Sequence, residues 1–437
     1  MKKLLIISLL FIAGNALAAP KIQHWTSANG VRVFFFPADS LPMMDMRVVF
    51  DAGAARDGEK HGLALLTNGL LAEGAGEWGT GQIAERFDGV GASFSNSSHR
   101  DMSVLSLRTL TQKELMETAL ETFKVVLTQP TFPLDAFERE RKRLLIGLES
   151  QKQSPKAISD KAFYENLYNG HPYSHMASGD VDTVNALTID DLKAFYKKYF
   201  VAKNAVVALV GALSREEAEK IVDNVFSDLA TGEIAPALPE VSALPESKNI
   251  EINFPSTQSH LLVGQPGIKR GDADYFPLYV GNHVLGGSGL VSTLSDEIRE
   301  KRGLSYSSYS YFIPMREQGP FLMGLQTKNE TAQEALDVLL EVLERFVAEG
   351  PTQAQLNAAK KNLTGGFALR IASNSKIVEN LASIGFYGLP LDYLDQYISK
   401  VEAVTLKQVK DAFKRRISPS KLVTVVVGDT SQKKAKN

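Results

Sequence analysis

The segment ALTIDDLKAFYKKYFVAKNAVVALVG spans residues 186–211, and AVTLKQVKDAFKRRISPSKLVTVVVG spans residues 403–428. The two segments align without a gap. In each, a threonine opens an amphipathic stretch, and a run rich in valine closes on a glycine. This pattern predicts a helix that leads into a buried strand. Because the pattern occurs once in each half of the chain, the sequence predicts an internal duplication.

A second pair of segments supports the duplication. Several residues recur at almost the same spacing: Pro130, Thr131, Phe137, Leu144 and Gly147 correspond to Pro351, Thr352, Leu356, Leu363 and Gly366. Between the halves, Pro236, Pro239 and Pro245 interrupt a stretch without apolar periodicity, which is typical of a linker. We therefore expect four parts after a leader: an N-terminal lobe at 19–232, a linker at 233–249, a C-terminal lobe at 250–431 and a tail at 432–437.

The strand and helix patterns indicate the fold class. In DMSVLSLRTL, residues 101–110, successive side chains alternate between two faces, which suits an antiparallel sheet with one covered face. Residues 331–348 carry leucines at helical spacing, which predicts an amphipathic helix packed on the core. The expected fold is α+β, with two homologous lobes that each consist of a mainly antiparallel sheet covered by helices.

Composition and charge exclude several classes of protein. The 437 residues include 44% hydrophobic and 22% charged residues, which is incompatible with long disorder. The net charge of -2 favours neither nucleic acid nor anionic lipid as a partner. The sequence contains no cysteine, which excludes disulfides, thiol nucleophiles and thiolate metal sites. Any metal ion would need His, Asp or Glu ligands.

The N-terminus has the pattern of an export signal. MKKLLIISLLFIAGNALAAP combines two lysines, an apolar run and the small-residue pattern Ala16-Leu17-Ala18. These features predict a signal peptide at residues 1–18. The apolar run is shorter than the roughly 20 residues of a transmembrane helix, and no later stretch reaches that length. We therefore expect a periplasmic protein of a Gram-negative bacterium, without a membrane span.

The most specific motif is SGLVSTLSDEIREKRGLSYSSYSYF, residues 288–312. Together with GLALLTNGLLAEG, GVGASFSNSSHRD, NGHPYSH and the duplication, it resembles the pitrilysin-like zinc metallopeptidases, a family that includes insulin-degrading enzyme and the mitochondrial processing peptidase. The resemblance covers nearly all of the chain after the leader. It implies the two-lobed metallopeptidase fold and an activity on peptides or unfolded protein segments.

The zinc motif of that family is degenerate in this sequence. Active members carry H-x-x-E-H on the first long helix, where two histidines one turn apart reach one zinc ion and the glutamate polarises its bound water. The resemblance places Leu65, Asn68 and Gly69 at these positions, and Gly147 near that of the third ligand. None of the four offers an imidazole or a carboxylate. We therefore expect neither metal nor other cofactor on this chain, and no activity of the chain alone.

The other histidines offer few replacements. Only His171 and His175 are four residues apart, but Pro172 between them predicts a loop, without the geometry of a helix. His61 precedes the degenerate helix and is most simply a surface residue. A displaced ligand set around it would have to recruit nearby acidic residues: Asp57, Glu59 and Glu73.

A second functional pair of the family is retained. The resemblance implies that Arg299 and Tyr306 correspond to an arginine and a tyrosine that reach across to the zinc site. Leu290, Leu294 and Ile298 step by four, which predicts a helix whose buried stripe flanks Arg299, and Tyr306 is expected in the next strand. Such a pair would stabilise the negative charge that develops on a substrate carbonyl oxygen.

The resemblance also implies a partner, because short members of the family form peptidases of two chains. One chain carries H-x-x-E-H and the other carries the arginine and the tyrosine. We expect this chain to be the second, non-catalytic subunit of a periplasmic heterodimeric zinc metalloendopeptidase, with the zinc on its partner. Two alternatives stay open: a retired peptidase that binds peptides or assists assembly, and an independent zinc peptidase with displaced ligands.

Overall fold

The computed structural model describes residues 21–429. The predicted signal peptide at 1–18 and the predicted tail at 432–437 lie outside these residues. Thirteen strands are present in them: β1 (Gln23–Thr26), β2 (Arg32–Pro37), β3 (Met43–Phe50), β4 (Gly74–Ala75), β5 (Trp78–Gly79), β6 (Ser93–Ser98), β7 (Ser103–Leu110), β8 (Ala205–Gly211), β9 (Lys248–Asn253), β10 (Gln258–Pro266), β11 (Ser308–Phe312), β12 (Pro320–Lys328) and β13 (Val423–Gly428).

The same residues contain sixteen α-helices: α1 (Leu63–Gly69), α2 (Thr80–Asp88), α3 (Lys113–Thr128), α4 (Leu134–Gln151), α5 (Pro155–Leu167), α6 (Val181–Ala186), α7 (Ile189–Tyr199), α8 (Arg215–Val225), α9 (Tyr275–Asn282), α10 (Thr293–Ser295), α11 (Ala332–Glu349), α12 (Gln353–Gly365), α13 (Phe367–Arg370), α14 (Asn374–Tyr387), α15 (Tyr397–Ala403) and α16 (Leu406–Arg416). Two π-helical turns follow directly on α9 and α10, at His283–Gly287 and Asp296–Glu300. Short 3₁₀ turns lie at Ala54–Arg56, Ala202–Asn204, Gly289–Val291 and Asn329–Thr331.

The two large sheets share one strand order, except that the first has an additional edge strand, β1. The first runs β1-β2-β8-β3-β7-β6, and the second, read from its other edge, runs β9-β13-β10-β12-β11. In the first sheet β2 and β8 are parallel, as are β9 and β13 in the second, while all other neighbours in both sheets are antiparallel. The predicted α+β fold with two lobes and mainly antiparallel sheets is confirmed. By this order β6 corresponds to β11, and β3 to β10.

The repeated segments that predict the duplication have the same local structure. Thr188 and Thr405 cap α7 and α16, and each side chain accepts a hydrogen bond from a backbone N–H in the first turn of its helix. The valine-rich runs form β8 and β13, which are buried throughout. Each lies inside its sheet, between one parallel and one antiparallel neighbour. Each segment therefore supplies a central strand and a helix of its lobe.

Each lobe places one helix on the sheet of the other lobe. Helix α14 of the second lobe packs on the first sheet in a shared apolar cluster: Phe34, Val49, Val104, Val206, Ala208 and Val210 meet Val378, Leu381, Ala382, Ile384 and Phe386. A methyl group at Gly385 would lie 2.5 Å from the ring of Phe34, so glycine permits this close approach. In return α5 packs on the second sheet, where its residues and those after it meet Leu262, Leu322, Val423, Val425 and Val427.

This exchange corrects the expectation that only one face of each sheet is covered. Both faces of β7 are buried, since Val104 packs against α14 while Leu105 and Leu107 belong to the core of the first lobe. The alternation of side chains was interpreted correctly as a strand. The helix that covers the second face could not be predicted, because it lies more than 260 residues later in the chain.

Asp101 connects the lobes through hydrogen bonds. It is 4% exposed, lies in the turn between β6 and β7, and accepts hydrogen bonds from the hydroxyl of Tyr173 at 2.5 Å and that of Tyr387 at 3.1 Å. The backbone N–H of Arg316, in the second lobe, donates a third bond at 2.7 Å. Burial raises the pKa of both tyrosines, and nearby Asp101 raises them further, so both hydroxyls stay protonated and donate.

Within residues 21–429, no helix is both long enough and apolar enough to cross a membrane.

Candidate functional site

Helix α1 carries the three positions that the family resemblance assigns to the zinc motif. Leu65 is half-buried, Asn68 is buried and Gly69 is exposed. Gly147 lies in α4, which packs beside α1. A methyl group added at Gly69 or Gly147 would meet no atom within 4 Å, so the site has space. None of the four positions carries an imidazole or a carboxylate that could bind zinc.

Asn68, at the position of the catalytic glutamate, has a structural role. Its side-chain nitrogen donates to the backbone carbonyl oxygens of Ser97 at 2.5 Å and Val104 at 3.3 Å. The backbone carbonyl of Asn68 accepts from the Asn96 side chain at 2.6 Å. In the second lobe Asn282, at the end of α9, donates to the Ser310 carbonyl of β11 at 2.9 Å. Both asparagines therefore fasten a helix to the edge strand of its sheet.

The correspondence between Asn68 and Asn282 was missed in the sequence. A signal for it exists, since LLTNGLL at residues 65–71 and YVGNHVL at residues 279–285 place the asparagine at the same point of two apolar helices. Neither asparagine is distinctive alone. Only the equivalence of β6 and β11 identifies the two helices as counterparts.

We predict that Asn68→Ala lowers the free energy of unfolding by about 1–3 kcal/mol, because two buried carbonyl groups lose their donor. Urea denaturation followed by circular dichroism measures this change. Gly69→Ala is the matched control: the added methyl has open space in a helix, where alanine is favoured by about 0.5–1 kcal/mol. Equal stability of Asn68→Ala and the wild type would contradict the fastening role.

The residues at this site do not fit a zinc ion. Leu65 and the two glycines have no side-chain donor atom, and the amide nitrogen of Asn68 is already engaged with backbone carbonyls. The remaining oxygen of Asn68 is buried and without a hydrogen-bond partner, but one neutral carbonyl is not a zinc site. Across residues 21–429, no group of three or more His, Asp or Glu side chains is arranged to hold a metal ion.

Two histidines stack beside the start of α1. The rings of His61 and His175 lie 3.9 Å apart and almost parallel, and His175 Nε2 is 3.4 Å from Asp57 Oδ2. Burial and the neighbouring His175 lower the pKa of His61. Asp57 also accepts hydrogen bonds from the backbone N–H groups of Gly62 and Ala64, while burial raises its pKa. The group holds the first turn of α1 against the loop that contains His175.

His171, the other histidine of this loop, is occupied by backbone contacts. Its Nε2 lies 2.9 Å from the carbonyl oxygen of Pro239, and its Nδ1 accepts from the backbone N–H of Tyr173 at 3.0 Å. Both ring nitrogens are therefore engaged. The predicted loop at NGHPYSH agrees with the structure, which has no helix between α5 and α6.

Arg299 lies on the π-helical turn that continues α10. Ser292 caps the start of α10, and Leu294 and Ile298 are fully buried in the core of the second lobe. The expectation for Leu290 was wrong: it is 58% exposed, because a separate 3₁₀ turn at Gly289–Val291 precedes the helix. Within the described residues the guanidinium of Arg299 forms one ion pair, a 3.4 Å contact with its neighbour Glu300.

Tyr306 precedes β11, which begins at Ser308, so its predicted position in a strand was wrong. The hydrogen bond between Ser305 Oγ and the Ser307 carbonyl bends the chain at this point and leaves Tyr306 81% exposed. The guanidinium carbon of Arg299 lies 5.0 Å from the centre of the Tyr306 ring, within the range of a cation–π contact. The structure thus brings the two predicted residues together at the surface.

A cleft of about 370 Å³ lies beside Tyr306. Its walls come from both lobes, with Lys156 and Asp160 on α5, and His260 and Tyr309 on the second sheet. The hydrogen bond from Lys156 to Asp160 raises the pKa of the lysine, which therefore stays charged. A ligand that reached Tyr306 would have polar contacts from both lobes.

These features define a two-lobed metallopeptidase fold whose zinc ligands are missing. The chain belongs to the peptidase M16 family. A family profile described as "Insulinase (Peptidase family M16)" matches residues 38–180, and one described as "Peptidase M16 inactive domain" matches residues 186–363. The first profile covers the positions of the degenerate zinc motif, and the second covers Arg299 and Tyr306.

Similar proteins support this assignment over the full chain. A crystal structure of the peptidase M16 inactive domain from Pseudomonas fluorescens is 40% identical, covers 95% of this chain and 100% of its own, and has a TM-score of 0.92. The "Non-peptidase homolog YmxG" of Helicobacter pylori is 26% identical, covering 99% of this chain and 100% of the relative. The "Uncharacterized zinc protease YmxG" of Bacillus subtilis is 24% identical, covering 89% and 94%.

Proposed function

We propose that this chain is the non-catalytic subunit of a heterodimeric zinc metalloendopeptidase of the periplasm. Its partner is an M16 subunit with an intact H-x-x-E-H motif, and its substrates are peptides or unfolded protein segments. The observation that carries the proposal is the convergence of Arg299 and Tyr306 at the surface of the second lobe, with the guanidinium carbon 5.0 Å from the centre of the tyrosine ring.

The surroundings of the pair support this role. Gly303 has a φ of +62°, and its backbone N–H donates to the Arg299 carbonyl. The chain therefore turns back towards Arg299 at Gly303. The buried side chains of Leu294 and Ile298 fix the base of this turn. A rigid base with an exposed ring and guanidinium is suited to completing the active site of another subunit.

The chemistry of the pair follows from its donors. In such a heterodimer the partner's zinc supplies the activated water. When this water adds to a peptide carbonyl, the carbonyl oxygen gains negative charge. The Tyr306 hydroxyl and the Arg299 N–H groups can donate hydrogen bonds to that oxygen, and they are most effective where water is excluded. The guanidinium also binds the carbonyl before reaction, so it contributes to substrate binding.

The test uses the mature chain and the H-x-x-E-H chain of the same organism, each purified alone and then mixed. We expect this chain alone to contain no stoichiometric zinc and to leave an unfolded fluorogenic peptide intact. The mixture should elute as a one-to-one complex in size-exclusion chromatography, with peptidase activity above that of either chain. Activity should disappear when a chelator is added.

Two results would contradict the proposal. The first is chelator-sensitive cleavage by this chain alone, which would favour displaced zinc ligands. The second is separate elution of both chains at micromolar concentration without any gain in activity. Restoring the motif by Leu65→His, Asn68→Glu and Gly69→His together should not yield an active single chain, because the third ligand and the groups that orient the ligands are also missing.

The second candidate function is a retired peptidase that binds peptides or assists assembly. The buried contacts of Asn68 favour it, since they show a motif position used for stability instead of chemistry. This candidate predicts that the hydroxyl of Tyr306 is dispensable, which separates it from the heterodimeric peptidase.

A further inference from the structure

A cavity of about 370 Å³ lies in the second lobe, at the counterpart of the degenerate zinc site of the first lobe. In the first lobe that site lies among α1, β6 and α4. The second lobe encloses its cavity with the end of α9, with β11 and with α13, which follows α12. Asn282 corresponds to Asn68, and His283 takes the place of Gly69. The duplicated architecture therefore offers a second concave site, with different side chains.

The walls of the cavity are aromatic. Tyr275 and Tyr279 stack with ring centres 5.5 Å apart and nearly parallel planes, and Tyr311 and Phe312 of the edge strand form another side. The π-helical turn that begins at His283 borders the cavity, and such turns occur frequently at functional sites. An apolar or planar group would therefore find stacking surfaces here.

Two arginines lie at this cavity without a carboxylate partner. Arg270 follows β10 and Arg370 ends α13, and neither forms an ion pair with an acidic residue among residues 21–429. Their guanidinium groups lie near tyrosine rings, Arg270 at 5.3 Å from Tyr387 and Arg370 at 5.9 Å from Tyr279. The Nε of Arg270 is buried and has no hydrogen-bond partner there. A buried donor without an acceptor is costly unless a ligand satisfies it.

Other arginines of the same lobe are neutralised. Arg415 and Arg416 both bind Asp274 at distances of 2.6 to 2.7 Å, and Arg416 also binds Asp272 at 2.9 Å. Asp272 and Asp274, the carboxylates closest to Arg270 in the sequence, are thus already bound by arginines of α16. The positive charge of Arg270 and Arg370 at the cavity is therefore left for a ligand.

We infer that this cavity binds an organic carboxylate whose apolar or aromatic part lies against Tyr275, Tyr279 and Tyr311. A guanidinium group matches the planar geometry of a carboxylate, and the tyrosine rings accommodate the adjoining group. The ligand chemistry is shared by a free aromatic acid and by the C-terminal carboxylate of a peptide. The site does not involve Arg299 or Tyr306, so it can be tested without a partner subunit.

Isothermal titration of the mature chain provides the test, with N-acetyl-phenylalanine and its amide as probes. We expect the acid to bind and the amide to bind at least about tenfold more weakly, since a charge-assisted hydrogen bond is lost. Arg270→Gln and Arg370→Gln should each weaken binding of the acid by a similar factor. Arg143→Gln, which removes an exposed arginine of α4, is the matched control and should bind like the wild type.

Two further probes distinguish the sources of the carboxylate. The peptide Ala-Ala-Phe with a free C-terminus should bind more tightly than N-acetyl-phenylalanine if the site takes peptide ends, and less tightly if it takes a free acid; either result supports the inference. Equal binding of acid and amide, or wild-type binding of the acid by correctly folded Arg270→Gln and Arg370→Gln, would overturn it. So would the absence of binding at about 10 mM ligand, because even a site with a Kd of about 1 mM would be mostly occupied at that concentration.

Discussion

Replacing Tyr306 by phenylalanine is expected to lower the turnover of the reconstituted heterodimer by about 10² to 10³, the usual loss when one donor to a developing oxyanion is removed. The substitution keeps the ring and therefore its 5.0 Å contact with Arg299. Because the Tyr306 side chain is 81% exposed, stability and assembly should stay unchanged. Steady-state kinetics, with the complex first verified by size exclusion, measures the effect.

The companion substitution Arg299→Ala should also raise the Michaelis constant, because the guanidinium can bind the substrate carbonyl in the ground state as well as in the transition state. Arg302→Ala is the matched control. Arg302 binds Glu297, but that carboxylate keeps its contacts with Lys301 and Arg345, so the turn should survive. We expect this control to have nearly wild-type kinetics.

Unchanged turnover of Tyr306→Phe in an assembled and active complex would contradict the donor role. The second candidate function, a retired peptidase that binds peptides, would then be favoured. The same experiment does not bear on the carboxylate cavity, because neither Arg299 nor Tyr306 lines that cavity. The two proposals can therefore fail independently.

The sequence was a good guide to architecture because the strongest signals are local. Thr188 and Thr405 begin helices through side-chain caps. The valine-rich runs that follow have apolar side chains on both faces, which predicts strands inside a sheet. The exchange of α5 and α14 between lobes was beyond prediction. Their apolar faces indicate burial but do not identify the sheet on which each helix packs.

The candidate site was predictable only in part. The missing ligands at Leu65, Gly69 and Gly147 are a matter of residue type, and no fold can supply the absent atoms. The exposure of Tyr306 was not predictable, since its position in an alternating run favours a strand, and the strand begins two residues later. The arginines of the carboxylate cavity are distant in sequence, and only the packing of α9, β11 and α13 brings them to one site.

The exchange of helices makes the lobes depend on each other, and Asp101 tests that dependence. We predict that Asp101→Ala lowers the free energy of unfolding by about 3–5 kcal/mol, because a buried charge with three donors is removed and those donors stay buried. Two of the donors, Tyr387 and the N–H of Arg316, belong to the second lobe. Denaturation by urea, followed by circular dichroism, measures the loss.

The control for this substitution is Asp395→Ala, an exposed aspartate of the second lobe, for which a change within about 0.5 kcal/mol is expected. Asp101→Asn gives a graded result, because the amide oxygen can still accept while the charge is absent. If Asp101→Ala were as stable as the wild type, the apolar contacts of α5 and α14 would suffice to join the lobes. A loss of the predicted size would instead mean that the hydrogen bonds of Asp101 join the lobes together with the apolar contacts of α5 and α14.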